Sequence, residues 1–169
     1  SVDLKFQEGF PEFVSQLRLI GNFSNYGQGL MPGENDTDDI AEFRIPAGAE
    51  SHMEAMRWTV PPSLPDLRVW MVGSHMHYVG TDMAIGVIRQ EDSEQENFCM
   101  LQTPNYDFNW QRGYTYDVPF EEAPVINVGD QLMMQCTYNN SMSNPYVVQA
   151  LAEQGLDEPV DVFLGEETL

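Results

Sequence analysis

The chain contains very few basic residues and very few cysteines. Seven Lys and Arg oppose 27 Asp and Glu, so the net charge is −20, and Lys5 is the single lysine. A field of this sign repels nucleic acid and anionic membrane surfaces, which excludes nucleic-acid binding. It attracts cations only diffusely and is no evidence of a specific metal site. The two cysteines, Cys99 and Cys136, leave three states open: pairing with each other, pairing outside the chain, or free thiols.

Long hydrophobic runs are also missing. No segment approaches the ~20 apolar residues that a membrane-spanning helix needs, and no signal peptide heads the sequence. The sequence begins at Ser1 rather than Met, so we expect a processed or excised piece of a longer product. Its 169 residues, 42% of them hydrophobic, are nevertheless sufficient for one globular domain with a sizeable core.

Common catalytic motifs are absent from the sequence. It has no phosphate-binding Gly-Lys-Ser/Thr loop, no Gly-x-Ser-x-Gly and no His-Glu-x-x-His. Paired carboxylates could serve a glycosidase, but 27 acidic residues supply such pairs by chance. The acidic segment Asp36–Asp39 lacks the glycine and the distal glutamate of a calcium loop, and we interpret it as a solvated loop.

Short apolar segments at roughly ten-residue spacing predict strands separated by turns. The segments are 43–45, 52–60, 67–78, 83–88, 98–101, 106–110, 114–118, 125–128 and 131–138. The nearly continuous apolar start of 67–78 predicts a strand buried on both faces, and residues 147–154 predict a short helix. Eight or nine strands with little helix predict an all-β fold, an antiparallel β-sandwich of the jelly-roll type. We expect residues 1–39 to form an N-terminal arm or edge strand with an acidic loop, and residues 40–169 to form the sandwich.

Two of the three histidines lie close together at the end of a predicted strand, as His75 and His77. Alternate strand residues share a face, so both rings project to one side, roughly 6.5–7 Å apart along the strand. Two such imidazoles can lean together and bind one metal ion, although two polar residues at a strand end are the simpler interpretation. Imidazole binds zinc, copper, iron or nickel, and a nearby thioether would favour Cu(I). The third histidine, His52, could face the same site, but we expect it to have no metal role.

Four segments carry a family resemblance by their order and spacing. They are Gly73–Gly80, Tyr106–Gln111, Val128–Asp130 and Cys136–Asn140. Together they resemble the C-terminal domain of the copper type II, ascorbate-dependent monooxygenases, the family that includes the peptidylglycine and dopamine hydroxylating enzymes. The resemblance covers approximately residues 40–169 and implies a jelly-roll sandwich.

The resemblance also implies a metal site and its chemistry. It makes His75 and His77 two of the three ligands of the copper at which dioxygen binds, with a methionine as the third and ascorbate as external reductant. The segment Gly165–Leu169 resembles the approach to that methionine. We therefore expect the third ligand beyond Leu169, together with the cysteine that pairs with the counterpart of Cys136. A secreted, extracellular or periplasmic location is implied as well.

Two departures from the family pattern bear on the implied function. Peptide-hydroxylating members have an arginine two residues before the first histidine of the pair, which helps to hold the substrate carboxylate. Gly73 stands there in this chain, so a peptide carboxylate is not supported as the substrate. The family's N-terminal domain holds a second, electron-transferring copper with three histidines. Only His52 remains outside the pair, so we expect that domain upstream, as a partner.

The leading hypothesis is therefore the oxygen-binding copper domain of a monooxygenase. It would hydroxylate an activated C–H bond of a small-molecule or peptide-like substrate, and the isolated chain would be an incomplete enzyme. The alternative is a non-catalytic extracellular β-sandwich that binds metal or a protein partner.

Overall fold

The computed structural model describes residues 3–6, 8–21, 29–38 and 40–164, and these contain ten strands and one α-helix. The strands are β1 Arg44–Ile45, β2 His52–Thr59, β3 Leu67–Arg68, β4 Met71–Gly73, β5 Gly80–Ile88, β6 Phe98–Pro104, β7 Gly113–Thr115, β8 Val125–Ile126, β9 Gln131–Tyr138 and β10 Val162–Phe163. The helix α1 spans Pro145–Gln154, and short 3₁₀ helices span Phe108–Trp110 and Phe120–Glu122.

Antiparallel pairing joins all of these strands. A central sheet has the order β2-β9-β5-β6, and three two-stranded pairs are β1-β10, β3-β8 and β4-β7. This confirms the predicted all-β antiparallel class and is consistent with a sandwich, while the jelly-roll type stays a prediction. The count is ten rather than eight or nine partly because the expected strand 67–78 divides into β3 and β4.

The core lies on one face of the central sheet, where alternate residues of each strand are buried. On β9 these are Leu132, Cys136 and Tyr138, as the alternation of its sequence predicts. Helix α1 contributes Val147 and Leu151 to the same cluster. The core forms because strands β5 and β9 and the helix each have one apolar side to remove from water.

Helix α1 confirms the short helix predicted over residues 147–154, and it begins two residues earlier. Asn144 is the N-cap, and its side chain accepts a hydrogen bond from the backbone N–H of Tyr146 at 3.0 Å. Pro145 follows in the first turn, where its missing N–H has no cost. Gly155 ends the helix with φ of 71°, a left-handed conformation that glycine adopts readily.

Two segment predictions were wrong. Residues 67–78 are not buried on both faces, because Trp70 and Met71 are 55% and 50% exposed. Strand β4 is exposed or half-buried along its length, and its partner β7 is exposed throughout. Residues 106–110 do not form a strand; Asp107 caps the 3₁₀ helix Phe108–Trp110 by accepting from the backbone N–H of Asn109 at 2.8 Å.

Several further expectations have simple outcomes. Cys99 is exposed and Cys136 is buried, and they do not pair with each other. Residues 29–31 run beside strand β2, with the N–H of Met31 donating to Ala55 O at 2.9 Å. Among the helices described here, none has the length and apolar character needed to cross a membrane. The segment Gly165–Leu169, expected to lead to a third ligand, lies outside the described residues.

Candidate metal centre

His75 and His77 follow strand β4 in an extended segment rather than lying on the strand itself. The alternation of a strand nevertheless continues through this segment. Ser74 and Met76 are buried, whereas His75 is exposed and His77 is half-buried. The two imidazole centroids lie 5.4 Å apart with their planes at 89°. The rings therefore stand side by side on the outer face, anchored by the buried residues between and before them.

Tyr106 holds the backbone between the two histidines. Its hydroxyl accepts a hydrogen bond from the N–H of Met76 at 2.9 Å and donates one to the carbonyl of the same residue at 2.6 Å. The side chain of Met76 packs under Gly80, where a Cβ would lie only 2.6 Å from the Cβ of Met76. Both contacts fix the position of residue 76 and so limit the freedom of the flanking imidazoles.

A turn after the pair is fastened to the start of helix α1. The N–H of Gly80 donates to His77 O at 2.9 Å, which closes the turn. The side-chain amide of Asn144 donates to Tyr78 O at 3.0 Å, so the helix N-cap also holds this turn. The segment with the histidines is thus tied at its centre and at its C-terminal end.

Aromatic rings cover one side of His77. The ring of Phe108 meets it edge-on at 6.4 Å, and Tyr78 packs against Phe108 at 4.5 Å. Tyr146 stacks on Tyr78 at 5.6 Å and donates its hydroxyl hydrogen to Asp107 Oδ1 at 2.8 Å. The backbone N–H of Asn109, followed by the Tyr146 hydroxyl, holds the pKa of Asp107 below its usual value. These contacts dock the 3₁₀ helix, and with it Phe108, against α1.

The electrostatics favour a neutral imidazole at His77. Burial lowers the pKa of His77 below 6.5, and the neighbouring His75 lowers it further, because a second positive charge nearby is unfavourable. A neutral imidazole is the form that binds a metal ion. His75 Nδ1 makes a hydrogen bond with Gln111 Oε1, and the amide nitrogen of Gln111 donates to Phe108 O at 2.9 Å.

His52 has no place at this centre. It is buried on β2, with Nε2 at 2.7 Å from Glu54 Oε1 and Nδ1 at 3.1 Å from the side-chain amide of Asn35. Because an amide nitrogen can only donate, Nδ1 is an acceptor and Nε2 carries the hydrogen toward Glu54. Both ring nitrogens are therefore engaged, as expected for a histidine without a metal role.

The donor set of the pair fits copper. Two imidazoles that can both be neutral stand together, and imidazole is a good copper ligand. Within the described ranges, no three His, Cys, Asp or Glu residues are grouped so that they could hold a metal ion. A carboxylate-rich calcium site or a closed four-ligand zinc site therefore finds no support in this part of the chain.

Gly73 is two residues before His75, at the position where peptide-hydroxylating members of the resembled family have an arginine. It pairs with Gly113 of β7, and a Cβ at residue 73 would lie 3.0 Å from the carbonyl oxygen of Arg112. The two paired glycines leave bare backbone beside the histidines. This position has neither a cation nor free room for a longer side chain.

Sequence reasoning missed Tyr106 and Gln111 as residues that support the centre. Both lie within the segment Tyr106–Gln111 that carries part of the resemblance, but their contacts with Met76 and His75 depend on tertiary structure. The pairing of β4 with β7 is the signal that would have found Gln111. Extending the register beyond Gly73 and Gly113 places Gln111 opposite His75.

Comparison with known proteins gives one finding. The family model described as the copper type II ascorbate-dependent monooxygenase, C-terminal domain, matches residues 47–155, which include the histidine pair and the residues that contact it. No curated protein and no solved structure gives a significant match to the chain.

Proposed function

Because the chain belongs to the copper type II, ascorbate-dependent monooxygenase family, we propose that its histidine pair is the copper site of such an enzyme. The observation that carries the proposal is the pair itself, with its rings 5.4 Å apart on a segment that buried neighbours hold in place. Copper and ascorbate are the cofactors of the family. When bound, copper would supply the reaction of dioxygen with an activated C–H bond.

The residues of this chain have separable roles in the proposal. His75 and His77 would each give one ring nitrogen to the metal, and the lowered pKa keeps His77 neutral and available. Tyr106 holds the backbone of Met76 and so sets the distance between the two rings. Phe108 packs edge-on against His77 and would shield that side of the ring from water.

The finer features of the enzyme are part of the same proposal. We expect dioxygen to bind at this copper and a methionine beyond Leu169 to complete its ligands. We expect an electron-transferring copper domain upstream, an extracellular or periplasmic location, and a small-molecule or peptide-like substrate. Gly73 gives no support to a substrate that is held by its carboxylate, because a cation is absent from that position.

Copper titration tests the metal site. The wild-type chain should bind Cu(I) in competition with a chromogenic chelator, and a His75→Ala/His77→Ala variant should lose that binding. His52→Gln is the matched control, because it removes the third histidine, whose ring nitrogens already have partners in Asn35 and Glu54. Equal weak binding by wild type and the double variant would overturn the proposal.

A non-catalytic metal-binding or interaction module is the alternative function. Its supporting observation is the exposure of His75, which would let the pair take up copper without an enclosed substrate pocket. Oxygen consumption by the full-length protein with ascorbate, measured against its His75→Ala variant, separates the two. Ascorbate-dependent substrate oxidation that the variant lacks would eliminate the module, and copper uptake without any oxidation would favour it.

A further inference from the structure

Gln111 contacts His75 and therefore bears on which nitrogen of that ring could bind copper at the proposed site. Gln111 follows the 3₁₀ helix Phe108–Trp110 and precedes strand β7. The register of β4 with β7 pairs Gly73 with Gly113, and its continuation brings residue 111 opposite residue 75. Gln111 therefore lies across from His75, just beyond the last residue pair of strands β4 and β7.

The amide of Gln111 has only one orientation that satisfies both of its neighbours. One end faces the carbonyl oxygen of Phe108 at 2.9 Å, and a carbonyl oxygen can only accept. The amide nitrogen must lie at that end, so the amide oxygen lies at the other end, against His75 Nδ1. Because this oxygen is an acceptor, the hydrogen of the contact has to belong to His75.

We infer that Gln111 is a positioning residue that holds neutral His75 with its hydrogen on Nδ1, and so makes Nε2 the nitrogen that faces the metal. The inference rests on the proposed copper site. A neutral imidazole has one N–H and one lone pair, so a hydrogen on Nδ1 leaves the lone pair on Nε2. Hydrogen-bond partners of this kind commonly orient histidine ligands and increase their basicity. In free histidine the other tautomer is the more populated one, so the expected state is not the default.

The tautomer of His75 can be read directly in the metal-free protein. Long-range ¹H–¹⁵N spectra of ¹⁵N-histidine-labelled protein, recorded well above the ordinary imidazole pKa of about 6.5, distinguish protonated from unprotonated ring nitrogens. The wild type should show protonated Nδ1 and unprotonated Nε2 at His75. Gln111→Met removes the acceptor and should shift His75 toward the Nε2–H form. Gln111→Glu retains an acceptor and should restore the Nδ1–H form.

Copper affinity provides the second measurement. Gln111→Met should weaken Cu(I) binding by roughly 10–100-fold, the range typical for loss of a partner that orients a ligand. Gln111→Glu should bind more tightly than Gln111→Met. Gln102→Met on β6 is the matched control; Gln102 is exposed, and its replacement should leave both the tautomer and the affinity unchanged.

The outcomes separate this inference from the proposed function. An Nε2–H form of His75 in the wild type, or a tautomer that does not change in Gln111→Met, would overturn the role of Gln111 whatever the copper result. Failure of the wild type to bind Cu(I) would overturn the proposed copper site, and with it the assignment of Nε2 as a ligand. The expected tautomers together with a selective affinity loss would support both.

Discussion

Replacing Tyr106 with phenylalanine tests how the backbone between the histidines is held. The hydroxyl makes two hydrogen bonds with Met76, at 2.9 Å to its N–H and 2.6 Å to its carbonyl. At about 1 kcal/mol net for each bond, Tyr106→Phe should lower the free energy of unfolding by about 2 kcal/mol. For a chain of this size, that corresponds to a fall in Tm of roughly 4–8 °C. Circular dichroism during thermal and urea unfolding measures both values.

The same substitution should weaken copper binding, because Met76 lies between the two proposed ligands. Without the hydroxyl, residue 76 gains backbone freedom, and ordering one backbone residue costs about 1–2 kcal/mol. Metal binding would have to supply this free energy, so the Kd for Cu(I) should rise roughly tenfold. Tyr116→Phe is the control, since Tyr116 is also half-buried but donates one hydrogen bond, to Met100 O at 3.0 Å. It should cost about 1 kcal/mol and leave the copper affinity unchanged.

Two results would refute this reasoning about Tyr106. A stability loss no larger than that of Tyr116→Phe would mean that the second hydrogen bond contributes nothing. An unchanged Kd for Cu(I) in Tyr106→Phe, with the expected stability loss, would mean that the hydroxyl stabilises the fold without positioning the histidines.

Three further predictions follow from perturbed pKa values. Burial raises the pKa of Cys136 to about 11, which leaves roughly a hundredth of the thiolate of an ordinary thiol at the same pH. In Cys99→Ser, labelling of Cys136 by iodoacetamide should therefore be slower by about that factor in the folded protein than in the same variant unfolded in urea, and equal rates would contradict it. For His77, whose pKa is lowered, the unfolded chain takes up the proton more readily, so the free energy of unfolding of the metal-free protein should decline as pH falls below about 6.5. Replacing His75 by glutamine should raise the pKa of His77 in an NMR titration, and an unchanged value would assign the whole effect to burial.

Much of the secondary structure could be predicted from the sequence, because it depends on local alternation and turn residues. Strand β9 has the predicted bounds 131–138 and the predicted buried face, since every second residue, on that face, is apolar. Helix α1 was found from its apolar pattern, and its exact start required the Asn144 cap. The prediction that residues 67–78 are buried on both faces was wrong, because an apolar run does not show whether a second layer covers it. Trp70 and Met71 are exposed.

The sequence alone determined that His75 and His77 share a face, since residues i and i+2 of an extended chain project to the same side. Four short segments, by their order along the sequence, also indicated the family to which the chain belongs. The tertiary structure alone decided what surrounds the pair. Hydrogen bonds from Tyr106 and Gln111 reach across 30 and 36 residues of chain, and such contacts depend on strand register and the 3₁₀ turn rather than on any local pattern. Local periodicity therefore fixes which way the histidines point, and only long-range packing fixes how firmly they are held.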